Sequence, residues 1–370
     1  MKAQWYSILA GVALSAAAHA HDGNFNQARA VFVMNNDADS NEVIAYQRNQ
    51  YGTLFSPRHF RTGGRGSGGK GDPLASQGSL TLSDDHQWLF AVNAGSGTLS
   101  VFRVEGALLF LTDEIATGGA EPTAVTQRGN LVYVLNASAS SSVNGFVFRN
   151  GHLSELPNSQ RFLSANLANP GSVDFSADGK FVFATEKAGN NIDSFAVLPN
   201  GTLSDIHTRA SAGPGAFAAV SGPNGTVLVS ETGSGGNTSA ISSYHLQPDG
   251  TLTVVSASIP SLGAANCWNA VTPNGRFIYV SNAGSSTIAG FAIAPSGALT
   301  PIPGTIVGTN PTGSGNLDIA VSADGQFLYS LNSAGGTVGA FAINADGSLT
   351  NLGVTPGLPK GSSLNGIAAN

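Results

Sequence analysis

Seven times along this chain a run of aromatic and aliphatic residues ends in Asn or Glu, and each time a Gly-x-Leu turn follows. The runs close at Asn35, Asn93, Asn136, Glu186, Glu231, Asn282 and Asn332, and the turns open at Gly52, Gly106, Gly151, Gly201, Gly250, Gly297 and Gly347. Successive turns lie 54, 45, 50, 49, 47 and 50 residues apart. The sixth repeat is the clearest. Trp268-Asn269-Ala270-Val271 reads as an inner strand, Pro273-Asn274-Gly275 as its turn and 276–282 as a second strand. The segment 286–294 alternates as a third strand, Pro295-Ser296-Gly297 turns, and an outer strand starts at Ala298. Asn-Gly and Asp-Gly pairs between apolar runs are hairpin signals, because glycine accepts the positive φ that such turns demand. No amphipathic helical stretch of useful length interrupts the pattern. A period near fifty built from short strands predicts an all-β, seven-bladed β-propeller with one four-stranded sheet per blade.

The ends of the chain predict how the ring closes. Leu364-Asn365-Gly366-Ile367-Ala368 is patterned like the inner strand Leu317-Asp318-Ile319-Ala320-Val321, whereas residues 30–35 enter directly as a second strand. The C-terminal strand is therefore expected as the innermost member of the first blade, protecting edges that invite aggregation. Thr62 to Gln77, glycine-rich and carrying Arg65 and Lys70, is expected as a flexible insertion between blades one and two.

Composition adds limits. Lys2, the apolar stretch from Trp5 to Ala17 and Ala18-His19-Ala20 fit an export leader cleaved near Ala20/His21. The expected layout is a leader over 1–20, an extension over 21–29 and one propeller over 30–370, secreted or periplasmic and free of the membrane after cleavage. Glycine supplies 48 of 370 residues, and charged residues only 10% against about 25% in an ordinary domain. That suits tight hairpins. The net charge of −6 argues against nucleic acid as a partner. A single cysteine, Cys267, cannot form an internal disulfide.

Candidate chemistry gathers where the second strands end and the blade-to-blade links begin, since these share one face around the channel mouth. Two of the seven strand ends are carboxylates, Glu186 and Glu231. One reading gives them the structural job of the five asparagines, holding loop backbone. The other makes them a catalytic pair of general acid and base. Lys187 adjoins Glu186 as a counter-charge; Arg61, with Arg58, Arg65 and Lys70, favours an anionic small-molecule ligand. Cys267, Trp268 and Asn316 start inner strands at the mouth and are further binding candidates, the first two also suiting packing between blades. No His-x-x-x-His pair or Cys/His cluster exists, so no metal or other cofactor is expected. Gly64 to Gly71 lacks the Ser/Thr and the following helix of a phosphate loop, and Asp37 to Asn41 lacks the closing ligands of a calcium loop.

Ser176-Ala177-Asp178-Gly179-Lys180-Phe181, Pro273 to Asn282 and Ala323-Asp324-Gly325-Gln326-Phe327-Leu328-Tyr329 resemble the seven-bladed lactonase-like propellers, which include 6-phosphogluconolactonases and carboxymuconate-lactonising cyclases. Thr185-Glu186-Lys187, Ser230-Glu231-Thr232 and Cys267-Trp268 resemble an exported subgroup of that family. The resemblance implies a lactonase or lactonising cyclase that hydrolyses or forms a small anionic lactone, with His, Arg and Glu at the channel mouth. Only the Glu component transfers, to Glu186 or Glu231; where a His is sought the chain reads Pro170-Gly171-Ser172. The alternative is a non-catalytic propeller that binds a small molecule, a glycan or a protein.

Overall fold

The computed structural model describes residues 29–370 except 139, 166 and 362. The expected leader, and the extension up to residue 28, lie outside the described residues. Seven antiparallel sheets form the ring, six of them four-stranded. In blade three the strands Pro122–Arg128, Leu131–Asn136, Ser142–Arg149 and His152–Glu155 are joined by a short fifth, Arg161–Phe162. The first blade is closed as its ends predict. Ile367–Ala369 pairs antiparallel with Arg29–Met34, setting Val31 opposite Ala369 and Val33 opposite Ile367. Arg48, fully buried, fastens this junction by donating to Asp324 (2.9 Å) and to the Asn370 carbonyl (3.4 Å).

The recurrent Gly-x-Leu turn has a physical cause. Each turn needs a left-handed residue, with φ 85° at Gly52 and 86° at Gly347. The same glycine carbonyl accepts a hydrogen bond from the preceding blade. Tyr329 donates to Gly52 (2.9 Å), Thr112 to Gly151 (2.8 Å), Ser194 to Gly250 (2.6 Å) and Tyr279 to Gly347 (2.8 Å). A side chain there would collide: a Cβ on Gly52 would lie 2.4 Å from the Phe327 ring. Between blades the second strands supply the core, with Phe32, Phe90, Tyr133, Phe183, Tyr279 and Tyr329 all fully buried.

One expectation is corrected. The glycine-rich link between blades one and two is a plug, not a flexible insertion. Gly66 and Gly68 donate to Asp37 (2.7 Å) and Asn36 (3.0 Å) of blade one. Ser76 Oγ donates to Thr123 of blade three (2.8 Å), and Gln77 N to Gly171 of blade four (2.8 Å). From blade six, Trp268 Nε1 donates to Ser76 (2.9 Å), and the Gln77 amide pairs with both backbone groups of Asn269 (2.8 and 2.9 Å). Thr123, Gly171 and Asn269 belong to inner strands around the ring, so a segment tied to all three crosses the channel mouth.

Candidate functional site

The strand-end residues act as posts for the links between blades. Thr62, Thr117 and Ser261, at the starts of links, donate to Asn93 (2.7 Å), Asn136 (2.8 Å) and Asn282 (2.8 Å). The glutamates occupy the same place. Glu186, fully buried, accepts from Ser164 Oγ (2.8 Å), Ala165 N (2.9 Å) and Asn191 Nδ2 (3.1 Å). Beside it Asp193 is pushed up to about 7, chiefly by burial and further by the Glu186 carboxylate. Glu231, equally buried, accepts from Ser211 Oγ (2.8 Å), Gly213 N (2.7 Å) and Ser242 Oγ (2.7 Å) through one oxygen. Each glutamate is enclosed by its own link.

A different group meets at the channel mouth. Lys187 donates to the Ala75 carbonyl of the plug and lies 4.8 Å above the Phe217 ring. Burial pulls its ammonium down to about 8, against the opposing influence of Asp72. Asp72, on the plug, accepts from Ala75 N and Asn365 Nδ2 (both 2.9 Å) and is raised to about 6 by burial, an effect that Lys187 moderates. The charge of Lys187 is thus answered by Asp72. Cys267 is buried nearby, its thiol pushed up by desolvation and by Asp72, the reverse of what a nucleophile needs. Trp268 is fully buried edge-on to Phe217 (5.1 Å), which leaves no face for a ligand ring. Asn316 is buried as well, donating to Ser281 Oγ (2.5 Å) and the Thr287 carbonyl (3.1 Å) of blade six. Arg61 stands apart on the outer strand of blade one, its side chain 81% exposed and 3.9 Å from Glu42.

Beside the plug, over blades two to four, opens a cleft of about 920 Å³. Ser67, Pro73 and Ala75 of the plug form one wall; Ser96, Glu121, Thr123 and Asn169 are the polar residues of the other, and the remaining lining is mostly Gly and Ala. None of the lining residues is basic, so the anion-binding arginines expected from the sequence are not brought here.

Glu121 breaks a local rule. Blades three to seven each enter the inner strand through a left-handed residue: Glu121 (φ 54°), Asn169 (47°), Gly215 (79°), Ala265 (53°) and Gly315 (55°). That geometry lets each carbonyl accept from the residue just past a strand end, as that of Glu121 does from Ala137 N (2.9 Å) and that of Gly215 from Thr232 N (2.8 Å). Glycine or asparagine suits the position, whereas Glu121, like Ala265 in blade six, is strained there by about 1–2 kcal/mol; of the two only Glu121 carries a functional group. Strain of this kind concentrates at functional sites. Its carboxylate is exposed at the cleft, close to the Thr123 hydroxyl in sequence and lining. That hydroxyl is buried and has no hydrogen-bond partner among the described residues. The sequence signal for Glu121 lies in aligning the five residues that precede the inner strands, where it is the one charged residue.

A family model described as "Lactonase, 7-bladed beta-propeller" matches residues 263–365, which span blades six and seven. No curated protein matches the chain significantly. Among solved structures, a putative 6-phosphogluconolactonase from Bacteroides uniformis is similar over 93% of this chain and 100% of its own, with 20% identity and a TM-score of 0.69. The periplasmic gluconolactonase PpgL of Pseudomonas aeruginosa is similar over 91% and 99%, with 19% identity and a TM-score of 0.68. A functionally unknown protein from Desulfotomaculum acetoxidans is similar over 92% and 99%, with 13% identity and a TM-score of 0.68. At such identities the structural likeness speaks for the fold. The family match is confined to the C-terminal blades, and the seven-bladed ring closed by its last strand is the β-propeller fold that these solved structures resemble.

Proposed function

We propose that the protein is a lactonase-like hydrolase that opens a small, neutral, hydroxylated lactone in the cleft beside the plug. The observation that carries this reading is Glu121, exposed on the wall of that cleft and held in a left-handed backbone conformation. The family match and the gluconolactonase named among the similar structures support the reaction class. The lack of any basic lining residue favours an uncharged ligand over a phosphorylated one. In the reaction Glu121 takes a proton from water as the water oxygen bonds to the lactone carbonyl carbon. The ring C–O bond then breaks, the leaving alkoxide takes the proton back from Glu121, and a hydroxy acid departs.

The test is a pH-stat assay on D-glucono-1,5-lactone and its 6-phosphate, with wild type and Glu121→Gln. The unphosphorylated lactone is expected to be opened faster, and Glu121→Gln to slow it on the order of a hundredfold. An unchanged rate in Glu121→Gln removes the base. A second reading, a propeller that binds without turnover, is favoured by the absence of histidine from the cleft lining. Lactone binding by calorimetry without hydrolysis would establish it. The reading includes export, tested by N-terminal sequencing of protein recovered outside the cytoplasm, which should begin near His21.

A further inference from the structure

We propose that Lys187 is a positioning residue that sets the shape of the cleft by tying its two walls together. The inference rests on the cleft being the site of the proposed reaction. Lys187 directly follows the second strand of blade four, Phe181–Glu186. Its side chain donates to the carbonyl of Ala75, and its backbone N donates to the carbonyl of Asn169 (3.3 Å). Ala75 belongs to the plug wall of the cleft and Asn169 to the opposite wall. One residue therefore bridges the two surfaces between which a ligand would sit, without itself lining the cleft.

The bridge depends on charge. The plug side presents Asp72 to the ammonium, blade five presents the Phe217 ring and blade six the Cys267 thiol. Asp72 in turn faces Asp318 of blade seven and accepts from the neutral Asn365 amide of blade one. A neutral amine loses both the attraction to Asp72 and the cation–π contact. A protonated Asp72 removes the former alone. With Lys187 pulled down to about 8 and Asp72 raised to about 6, both groups are charged only between those values. Outside that window the plug wall loosens, and ligand affinity falls while the chemistry of a bound ligand is untouched.

Hydrogen-exchange mass spectrometry reads the plug independently of catalysis. Peptides covering residues 70–79 contain the Gln77 amide bonded to Gly171. In wild type, protection corrected for intrinsic exchange is expected to be greatest near pH 7 and to drop several-fold by pH 9. Lys187→Met should lower it about tenfold at pH 7, and raise KM for D-glucono-1,5-lactone with kcat nearly kept. Lys187→Arg, which stays charged, should keep the protection and abolish the alkaline rise in KM; Asp72→Asn should abolish the acid one. Protection and KM profiles unchanged in Lys187→Met would overturn the proposal. Should that variant fail to fold, Lys187→Arg at pH 9 decides, since loosening equal to wild type refutes it. If wild type opens no lactone, the reaction reading fails while the exchange data still judge the bridge.

Discussion

Asp318 lets the electrostatics of this fold be tested in one substitution. It sits where the inner strand of blade seven meets the closing strand, 3% exposed and with φ 72°. Its carboxylate accepts from Ile319 N (2.9 Å) and Ile367 N (3.2 Å). Among the described residues no basic group lies within ion-pair distance of it, and Asp72 adds a like charge. Burial raises it from an ordinary 3.8 to about 7. The folded state therefore holds the proton more tightly than the unfolded chain. The stability this confers is full below pH 3.8 and is lost as the pH rises through about 7. A shift of about 3 units corresponds to roughly 4 kcal/mol. Asp318→Asn removes the charge but leaves one acceptor for two N–H groups, a loss of about 1 kcal/mol. The variant should thus be more stable than wild type by about 2–3 kcal/mol at pH 8, and equal or slightly weaker at pH 4. Urea unfolding midpoints at pH 4, 6 and 8 measure this directly. Asp72 and Asp174 (each raised to about 6 by burial) and Asp193 (to about 7) act in the same direction, so wild type itself should weaken from pH 4 to pH 8. A variant weaker than wild type at pH 8, or a gain equal at pH 4 and pH 8, would refute the account of a buried, uncompensated carboxylate.

Three other substitutions separate structure from chemistry. Glu121→Gly should raise urea stability by about 1 kcal/mol, through relief of the left-handed strain, while abolishing lactone hydrolysis. Glu186→Gln should lower stability by about 1–3 kcal/mol, because the amide cannot accept at both positions where the carboxylate oxygens now do, whereas Glu231→Gln, whose three bonds reach one oxygen, should cost under about 1 kcal/mol; the rate per folded molecule should hold in both, and a rate collapse with stability intact would return them to catalysis. Removal of residues 363–370 strips the buried Leu364 and Ile367 and bares the Arg29–Met34 edge, so a loss on the order of 5 kcal/mol and soluble aggregates on size-exclusion chromatography are expected.

The ring was legible because its information is local. Alternating apolar runs, Asp-Gly turns and a recurrent Gly-x-Leu all lie within a few residues of the strands they shape, and the tail strand copies the pattern of an inner one. The plug was misread because glycine serves two ends. In residues 62–79 it permits close approach: a Cβ on Gly66 would lie 2.2 Å from the Asn36 carbonyl, and one on Gly64 2.5 Å from the Asn93 side chain. The partners that hold the plug, Gly171, Trp268 and Asn269, lie far away in sequence, and nothing local announces them. Glu186 and Glu231 drew the eye as exceptions in a regular series. The hydroxyls facing the series are regular too, with Thr62, Thr117, Ser164, Ser211 and Ser261 each meeting a strand end. Glu186 and Glu231 thus meet the same kind of link hydroxyl as their asparagine counterparts.

Seven near-equivalent blades make a rim with little chemical contrast, and whatever is repeated around it must serve the ring. Contrast enters where one blade departs from the others without keeping the shared hydrogen bonds of the departing side chain. The plug does so on the largest scale, turning an axial channel into a cleft displaced over blades two to four. Glu121 does so on the smallest, placing a carboxylate where four other blades use glycine, asparagine or alanine. The two departures meet in one cavity, with Lys187 joining its walls from behind. A ligand site that owed nothing to chance symmetry would be expected at such a meeting, off the axis and dependent on the plug for its shape.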